Sequence, residues 1–150
     1  MVLGIGEGKV ELELSKTSFV PGESITGKVK LFLNEPEKAH EVRIEFYGEI
    51  VKRRTAMSGG HHHSSSTVEK VFLVQKQLDG ERAYKDGETF DFSLTIPENA
   101  LPPKPNGIVM SFMSFFTAAP RAWYVHATLD MPMKFDMNKK IQIFLSPKQV

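Results

Sequence analysis

Three consecutive histidines, His61, His62 and His63, are the residues of this 150-residue chain best suited to metal chemistry. Imidazole is a common ligand for zinc, nickel and copper, so the run suggests a metal site. Adjacent side chains on one segment seldom surround a single metal, and the flanking Gly-Gly and Ser-Ser-Ser offer no further groups to orient such ligands. A solvated low-complexity loop is the alternative, and we expect no metal or other cofactor.

Motifs that define an enzyme active site are absent from the sequence. It contains no G-x-S-x-G, no H-E-x-x-H and no glycine-rich loop between a strand and a helix. Gly4, Gly6 and Gly8 precede the first predicted strand and therefore do not form a phosphate-binding turn. His126 falls on the polar side of a predicted strand, where we expect a surface or cross-strand partner rather than a catalytic base. The sequence therefore predicts no catalytic residues.

One short basic cluster, Lys52, Arg53 and Arg54, could bind an anion. It is predicted to end a strand beside the low-complexity segment, where a solvated strand end is the alternative. Over the whole chain, 19 Lys and Arg nearly balance 18 Asp and Glu, so the basic surface typical of nucleic-acid-binding proteins is missing. We expect no nucleic-acid partner.

The composition is that of an ordinary globular protein. Hydrophobic residues make up 41% and charged residues 25%, and 150 residues suffice for one domain with its own core. The absence of cysteine excludes disulfides and thiol catalysis. The N-terminal stretch has no basic region followed by an apolar one, so we expect no signal peptide and a cytoplasmic location.

Alternating apolar residues predict β-strands along most of the chain. The alternating segments lie at 10–14, 25–33, 42–50, 68–74, 90–96, 123–129 and 141–145. Gly48, inside the third segment, predicts a bulge or a close backbone approach. With seven or eight short strands and no long helical pattern, we predict an all-β fold, a single antiparallel immunoglobulin-like β-sandwich over 1–150 with a flexible loop at 56–67.

Residues 105–120 form the one segment that the strand pattern does not explain. No charged residue lies between Lys104 and Arg121, yet the run is shorter than the roughly 20 residues that span a bilayer. Its apolar spacing fits either a helix or a strand. The segment either covers an open end or edge of the sandwich, or is an exposed contact for a protein partner or a membrane surface. The predicted contact residues are Ile108, Met110, Phe112, Met113, Phe115 and Phe116.

Several short motifs follow one another along the chain in an order that can be compared with known families. They are the Pro21-Gly22 turn with Ile25, Gly27 and Val29; the strand end Phe46-Tyr47-Gly48; Phe90 and Phe92 before Ile96-Pro97 and Leu101-Pro102-Pro103; and Tyr124-Val125-His126-Ala127 with Leu129 and Pro132. Together they resemble the N-terminal domain of the arrestin family, which includes α-arrestins and prokaryotic sporulation-control relatives. The resemblance implies a sandwich used as a non-catalytic adaptor, with relatives that bind membrane proteins, coat components or ubiquitin ligases.

The resemblance has limits that bear on function. The family usually has two such sandwiches in tandem, whereas this chain has one, and it lacks PPxY or clathrin-type motifs. Receptor desensitisation and ligase recruitment are therefore not expected from the resemblance. We expect a protein-interaction module, adaptor or scaffold, that binds a protein partner, with a peripheral membrane contact as one version. The alternatives are a homo-oligomer joined through a strand edge or the apolar segment, and a sandwich that holds a small molecule or metal.

Overall fold

The computed structural model describes residues 8–58, 60–101, 120–132 and 136–147, and gives the backbone alone for 53–58 and 61–64. Within these ranges the chain forms ten β-strands and no helix. The strands are β1 (Lys9–Leu14), β2 (Ser18–Phe19), β3 (Ser24–Phe32), β4 (Glu37–Ala39), β5 (Glu41–Ser58), β6 (His61–Asp79), β7 (Arg82–Tyr84), β8 (Thr89–Thr95), β9 (Ala122–Asp130) and β10 (Met137–Leu145). All seven predicted strands are present, so the all-β prediction is confirmed.

The strands form two main sheets and one small one. β1, β3 and β8 make a three-stranded sheet, while β2, β10, β9, β5 and β6 make a five-stranded sheet in that order. β4 pairs with β7 alone. The described pairs are antiparallel except β2 with β10, which is parallel and corrects the purely antiparallel prediction. The unpredicted strands β2, β4 and β7 have only two or three residues, too few to display a two-residue period.

The core lies between the two main sheets and follows the predicted alternation. Val42, Ile44 and Phe46 of β5 are fully buried, and the register places Val125 of β9 opposite Phe46. Burying one such side chain contributes about 1.5–3 kcal/mol before the entropy of ordering the chain is subtracted. The other buried apolar residues come from both sheets and include Val10, Leu12, Ile25, Val29, Leu31, Phe92, Leu94, Ile96, Ala127, Leu129 and Ile143.

The predicted Pro21-Gly22 turn joins β2 to β3 across one end of the sandwich. Gly22 has a φ of 93°, a left-handed conformation that favours glycine. Its N–H donates to the Ile96 carbonyl over 3.0 Å, and the Ile96 N–H donates to the Glu23 carbonyl over 2.9 Å. The turn thereby ties the end of β8 to the start of β3.

Strands β5 and β6 extend far beyond the rest of the five-stranded sheet. β9 pairs with β5 only from Glu41 to Glu49, and the Arg121 N–H donates to the Glu49 carbonyl over 2.7 Å at the last step. Beyond that point Ile50–Ser58 pairs with His61–Glu69 through nine residue pairs. We call this two-stranded ribbon, residues 50–58 and 61–69, the arm.

The arm corrects the predicted flexible loop at 56–67. Only two residues connect Ser58 to His61, and Gly60 has a φ of 83°, as two-residue hairpin turns require. The polar, low-complexity composition suggested a loop because it has no apolar alternation. A ladder of backbone hydrogen bonds needs no apolar side chains, so the same residues pair as strands.

The end of the sandwich away from the arm is held by a charged network around Arg82. Its guanidinium lies 2.8 Å from an Asp79 oxygen and 2.6 Å from a Glu88 oxygen. These hydrogen bonds lower the pKa of both carboxyls. The Tyr84 hydroxyl donates to the Gly80 carbonyl, and the Tyr84 ring is buried. These contacts order the segment 79–88, which lies between two of the predicted strands.

Candidate functional site

An aromatic cluster marks the end of the sandwich from which the arm projects. The rings of Phe46 and Trp123 stack with centroids 5.4 Å apart, and Phe72 lies 5.8 Å from Trp123. Gly48 lies against this cluster, because a Cβ built on it would be 2.8 Å from Trp123 Cζ3 and 2.9 Å from Pro120 Cβ. The close backbone approach predicted for Gly48 is therefore confirmed. We call this end of the molecule the arm end.

The residues on either side of the apolar segment both lie at the arm end. On the N-terminal side, β2 pairs with the last residues of β10, one step beyond the pairing of Ile143 with Trp123, which places the adjoining 22–23 turn at this end. Ile96 is bonded to that turn, and Ala100 and Leu101 pack on the core. On the C-terminal side, Pro120 lies beside Gly48 at the root of the arm. The predicted contact residues themselves, Ile108, Met110, Phe112, Met113, Phe115 and Phe116, lie outside the described residues. The chain thus leaves and re-enters the described sandwich at one end.

The basic cluster lies within the arm rather than at the end of a strand. The Lys52 ammonium is 3.2 Å from a Glu69 oxygen, with both side chains about half exposed. Arg53 is paired in register with Ser66, and Arg54 with Ser65. The expected strand end is therefore wrong, because β5 continues through Ser58.

The three histidines begin β6, on the outer half of the arm. In register, His61 pairs with Ser58, His62 with Met57 and His63 with Ala56. Successive strand residues alternate between faces, so His61 and His63 share one face and His62 belongs to the other. Among the side chains that the structure describes, no three His, Asp or Glu residues are grouped to hold a metal ion.

β6 is the outer strand of the five-stranded sheet, and its second edge has no partner among the described residues. Val68 is 59% exposed and Leu73 is 48% exposed. Next to Leu73 the ladder is interrupted by a bulge, where Phe72 adopts a φ of 55°. A non-glycine residue in this conformation costs about 1–3 kcal/mol. The bulge accompanies the contact of Phe72 with Trp123. It lies between the pairs Phe46–Val74 and Gly48–Val71, so the bulge predicted at Gly48 is also confirmed.

The outward face of the five-stranded sheet carries a partly buried polar layer that sequence analysis missed. Tyr47 is only 2% exposed, and the Lys70 ammonium lies 4.5 Å from its ring centroid and 3.2 Å from a Glu45 oxygen. Burial, with a smaller contribution from Glu49 and then Glu45, raises the pKa of Tyr47 to about 12. The sequence carries one signal of this layer, which is the presence of two aromatic residues, Tyr47 and Tyr124, at positions that the alternation assigns to the polar side.

His126 lies within this layer, on β9. Its ring meets the Tyr47 ring edge-on, with centroids 6.2 Å apart, and it pairs in register with Glu45 and Lys140. Both ring nitrogens are buried and have no hydrogen-bond partner in the described part of the chain. A general base is normally oriented by a hydrogen bond to its second nitrogen. The described surroundings of His126 do not supply that bond.

A shallow groove of about 380 Å³ lies across β1, β3 and β8. The Ser15 and Thr26 hydroxyls in its wall are hydrogen-bonded to each other over 3.0 Å, and Lys28 lies 4.0 Å from Asp91. Its polar groups therefore pair with one another rather than converging on a ligand. The remaining lining residues are Glu13, Leu14, Gly27 and Phe92.

Comparison with known proteins identifies the class of this sandwich. The family described as arrestin (or S-antigen), N-terminal domain, matches residues 8–149. The chain therefore belongs to the arrestin family, as the resemblance of its motifs implied. No curated protein sequence matches the chain.

Among solved structures, the chain is similar to the crystal structure of Spo0M, a sporulation control protein from Bacillus subtilis. The two share 18% identity with a TM-score of 0.61, over 96% of this chain and 51% of that one. The chain thus spans about half the length of the protein it matches, and at this identity the similarity shows the fold alone. In the part of the chain that the structure describes, no helix has the length and apolar character to cross a membrane.

Proposed function

We propose that the chain is a non-catalytic adaptor module that binds a protein partner at the arm end. One observation carries the proposal: the apolar segment is bounded on both sides by residues that lie at this end, Leu101 and Pro120. Membership of the arrestin family supports an adaptor role in general terms. In this proposal residues 1–150 are one domain located in the cytoplasm, without catalytic residues or cofactors.

The composition of the segment supports protein binding. Between Lys104 and Arg121 it contains phenylalanine and methionine but no charge. Aromatic side chains carry much of the binding energy at protein interfaces, and methionine adapts to partners of varied shape. Ile108, Met110, Phe112, Met113, Phe115 and Phe116 are the proposed contact residues.

Replacing Phe112 and Phe116 together by serine tests the proposal. We expect the variant to keep its melting temperature within a few degrees of wild type and to lose partners that the wild-type chain captures from native lysate. Phe144→Ser is the matched control, because Phe144 is 57% exposed on β10 and is not one of the proposed contact residues. This control should capture the same partners as wild type.

Two results would contradict the proposal. Capture of the same partners by the double variant would remove the segment as a contact. A large fall in melting temperature, on the order of 10 °C or more, would assign Phe112 and Phe116 to stability, since aromatic core truncations cost about 3–5 kcal/mol.

A second candidate function is self-association through the outer edge of β6. It rests on the exposure of Val68 and Leu73 on a strand whose outer edge is unpaired among the described residues. Lysine on an edge strand discourages edge-to-edge pairing. If the chain is an oligomer by light scattering, Val68→Lys should reduce its mass to that of the 16.9 kDa monomer and Phe144→Lys should not. A monomeric wild-type chain at high concentration would exclude this candidate.

A further inference from the structure

The arm carries a net positive charge because it has few carboxylates. From Lys52 to Val68 the sequence contains Lys52, Arg53, Arg54 and three of the five histidines, and no Asp or Glu. With Glu69 counted in the arm, the rest of the chain holds 16 Lys and Arg against 17 Asp and Glu. At neutral pH the arm is basic and the remainder is slightly acidic.

The register of the arm arranges these residues on an extended ribbon. Nine residue pairs extend over about 30 Å at the usual rise of a strand. Beyond Glu49 no third strand pairs with either edge of the ribbon among the described residues. Lys52, Arg54, Ala56 and Ser58 are spaced by two residues and therefore belong to one face of β5. His63 pairs with Ala56 and His61 with Ser58, so these two histidines belong to the same face.

Few acidic groups accompany the histidines. β5 is the element paired with this part of β6, and it places Ser58, Met57 and Ala56 opposite them. The nearest carboxylates along the described ribbon are at its root. Glu69 is 3.2 Å from Lys52 and Glu49 is 3.3 Å from Lys140. The first pair is about half exposed and therefore weak, so it leaves most of the positive charge of the arm available.

We infer that the arm binds an anionic lipid surface and that protonation of His61, His62 and His63 strengthens this binding. A ribbon about 30 Å long can contact several headgroups at once. The apolar segment supports a lipid rather than a nucleic acid, because Pro120 places one end of it at the root of the arm. Basic residues beside an apolar segment are typical of membrane-surface contacts.

The size of the pH effect follows from the charge. Imidazole ordinarily titrates near pH 6.5, so acidification from about pH 7.5 to about pH 5.5 adds two to three positive charges to the arm. Each positive charge near an anionic leaflet strengthens binding about fivefold. We expect partitioning onto anionic vesicles to rise on the order of 10- to 100-fold over this range, and to fall with added salt.

Co-sedimentation of the full chain with vesicles tests the inference, using equal parts of phosphatidylcholine and phosphatidylglycerol, with pure phosphatidylcholine as the uncharged control. Changing the three histidines together to glutamine should abolish the pH dependence while leaving binding at about pH 7.5 unchanged. Changing Lys52, Arg53 and Arg54 together to glutamine should weaken binding at both pH values. The matched control changes Lys28, Lys30 and Lys38 to glutamine, which removes three exposed charges from strands away from the arm.

Several results would overturn the inference. Equal binding to charged and uncharged vesicles, or loss of binding in the Lys28, Lys30 and Lys38 control alone, would place the contact elsewhere. Binding of duplex DNA that depends on the arm, without binding of vesicles, would assign the arm to nucleic acid. No detectable vesicle binding at about pH 5.5 by a folded wild-type chain would exclude a lipid contact. These outcomes do not depend on the protein partner, because the assay contains none.

Discussion

Gly48→Ala should destabilise the sandwich at the root of the arm. An added Cβ would lie 2.8 Å from Trp123 Cζ3, 2.9 Å from Trp123 Cε3 and 2.9 Å from Pro120 Cβ. Non-bonded carbon atoms normally approach to about 3.5–4.0 Å, so the methyl group requires about 0.6–1.2 Å of displacement. Neither the indole ring, which stacks on Phe46, nor the proline ring is a flexible side-chain end. The strain therefore falls on the aromatic cluster.

The expected loss of unfolding free energy is about 1–2 kcal/mol. Overpacking of a filled core costs about 1–3 kcal/mol. Replacing glycine by alanine also stabilises the folded state by about 0.4–1 kcal/mol, because the unfolded chain has less conformational freedom. For a chain of this length, the net loss lowers the melting temperature by about 2–8 °C.

Urea unfolding followed by the fluorescence of Trp123, the single tryptophan, measures this loss at the site of the strain. The transition midpoint should fall with an unchanged slope. Gly80→Ala is the matched control, because its Cβ would meet only the end of the Gln77 side chain at 3.2 Å. Equal midpoints for wild type and Gly48→Ala would refute the close packing of Gly48 against Trp123 and Pro120.

Two further predictions concern pH. Arg82 lowers the pKa of Asp79 and Glu88 below their ordinary 3.8 and 4.5, so the stability it supplies is present above those values and is lost as the pH falls. In urea unfolding, the free energy of unfolding of wild type should exceed that of Arg82→Met at about pH 7, and the two values should converge near pH 2. A difference that stays the same at both pH values would contradict the network. Burial raises the pKa of Tyr47 from 10.0 to about 12, so the stability gained from its neutral form is complete below pH 10 and is lost as the pH rises toward 12. Burial raises the pKa of Tyr84 as well, so ultraviolet titration should find two late-ionising tyrosines in wild type and one in Tyr47→Phe; two in that variant would contradict the burial of Tyr47.

The alternating strands could be predicted because one face of each is buried. Val42, Ile44 and Phe46 alternate with polar residues, and the structure buries all three. Gly48 and the Pro21-Gly22 turn could also be predicted, since glycine is common where the backbone is approached closely or has a positive φ. These are local signals that the sequence carries directly.

The arm could not be predicted, for a physical reason. Its outer half pairs serine and histidine with residues such as Thr55 and Ser58 through backbone hydrogen bonds, which leave no periodic trace in the sequence. The polar layer was missed because alternation assigns Tyr47 and Glu45 to the solvent side, while Lys70 from the neighbouring strand packs over Tyr47. The same limit applies to the candidate site: its basic residues could be named from the sequence, but their place on a projecting ribbon could not.

Amide hydrogen exchange of the full chain, with and without anionic vesicles at about pH 5.5, tests most directly the claim that the arm end is the contact surface. We expect vesicles to slow exchange in residues 50–69 and 105–120 and to leave exchange in β1, β3 and β8 unchanged. Slowed exchange confined to those three strands, or no change in residues 50–69, would contradict it.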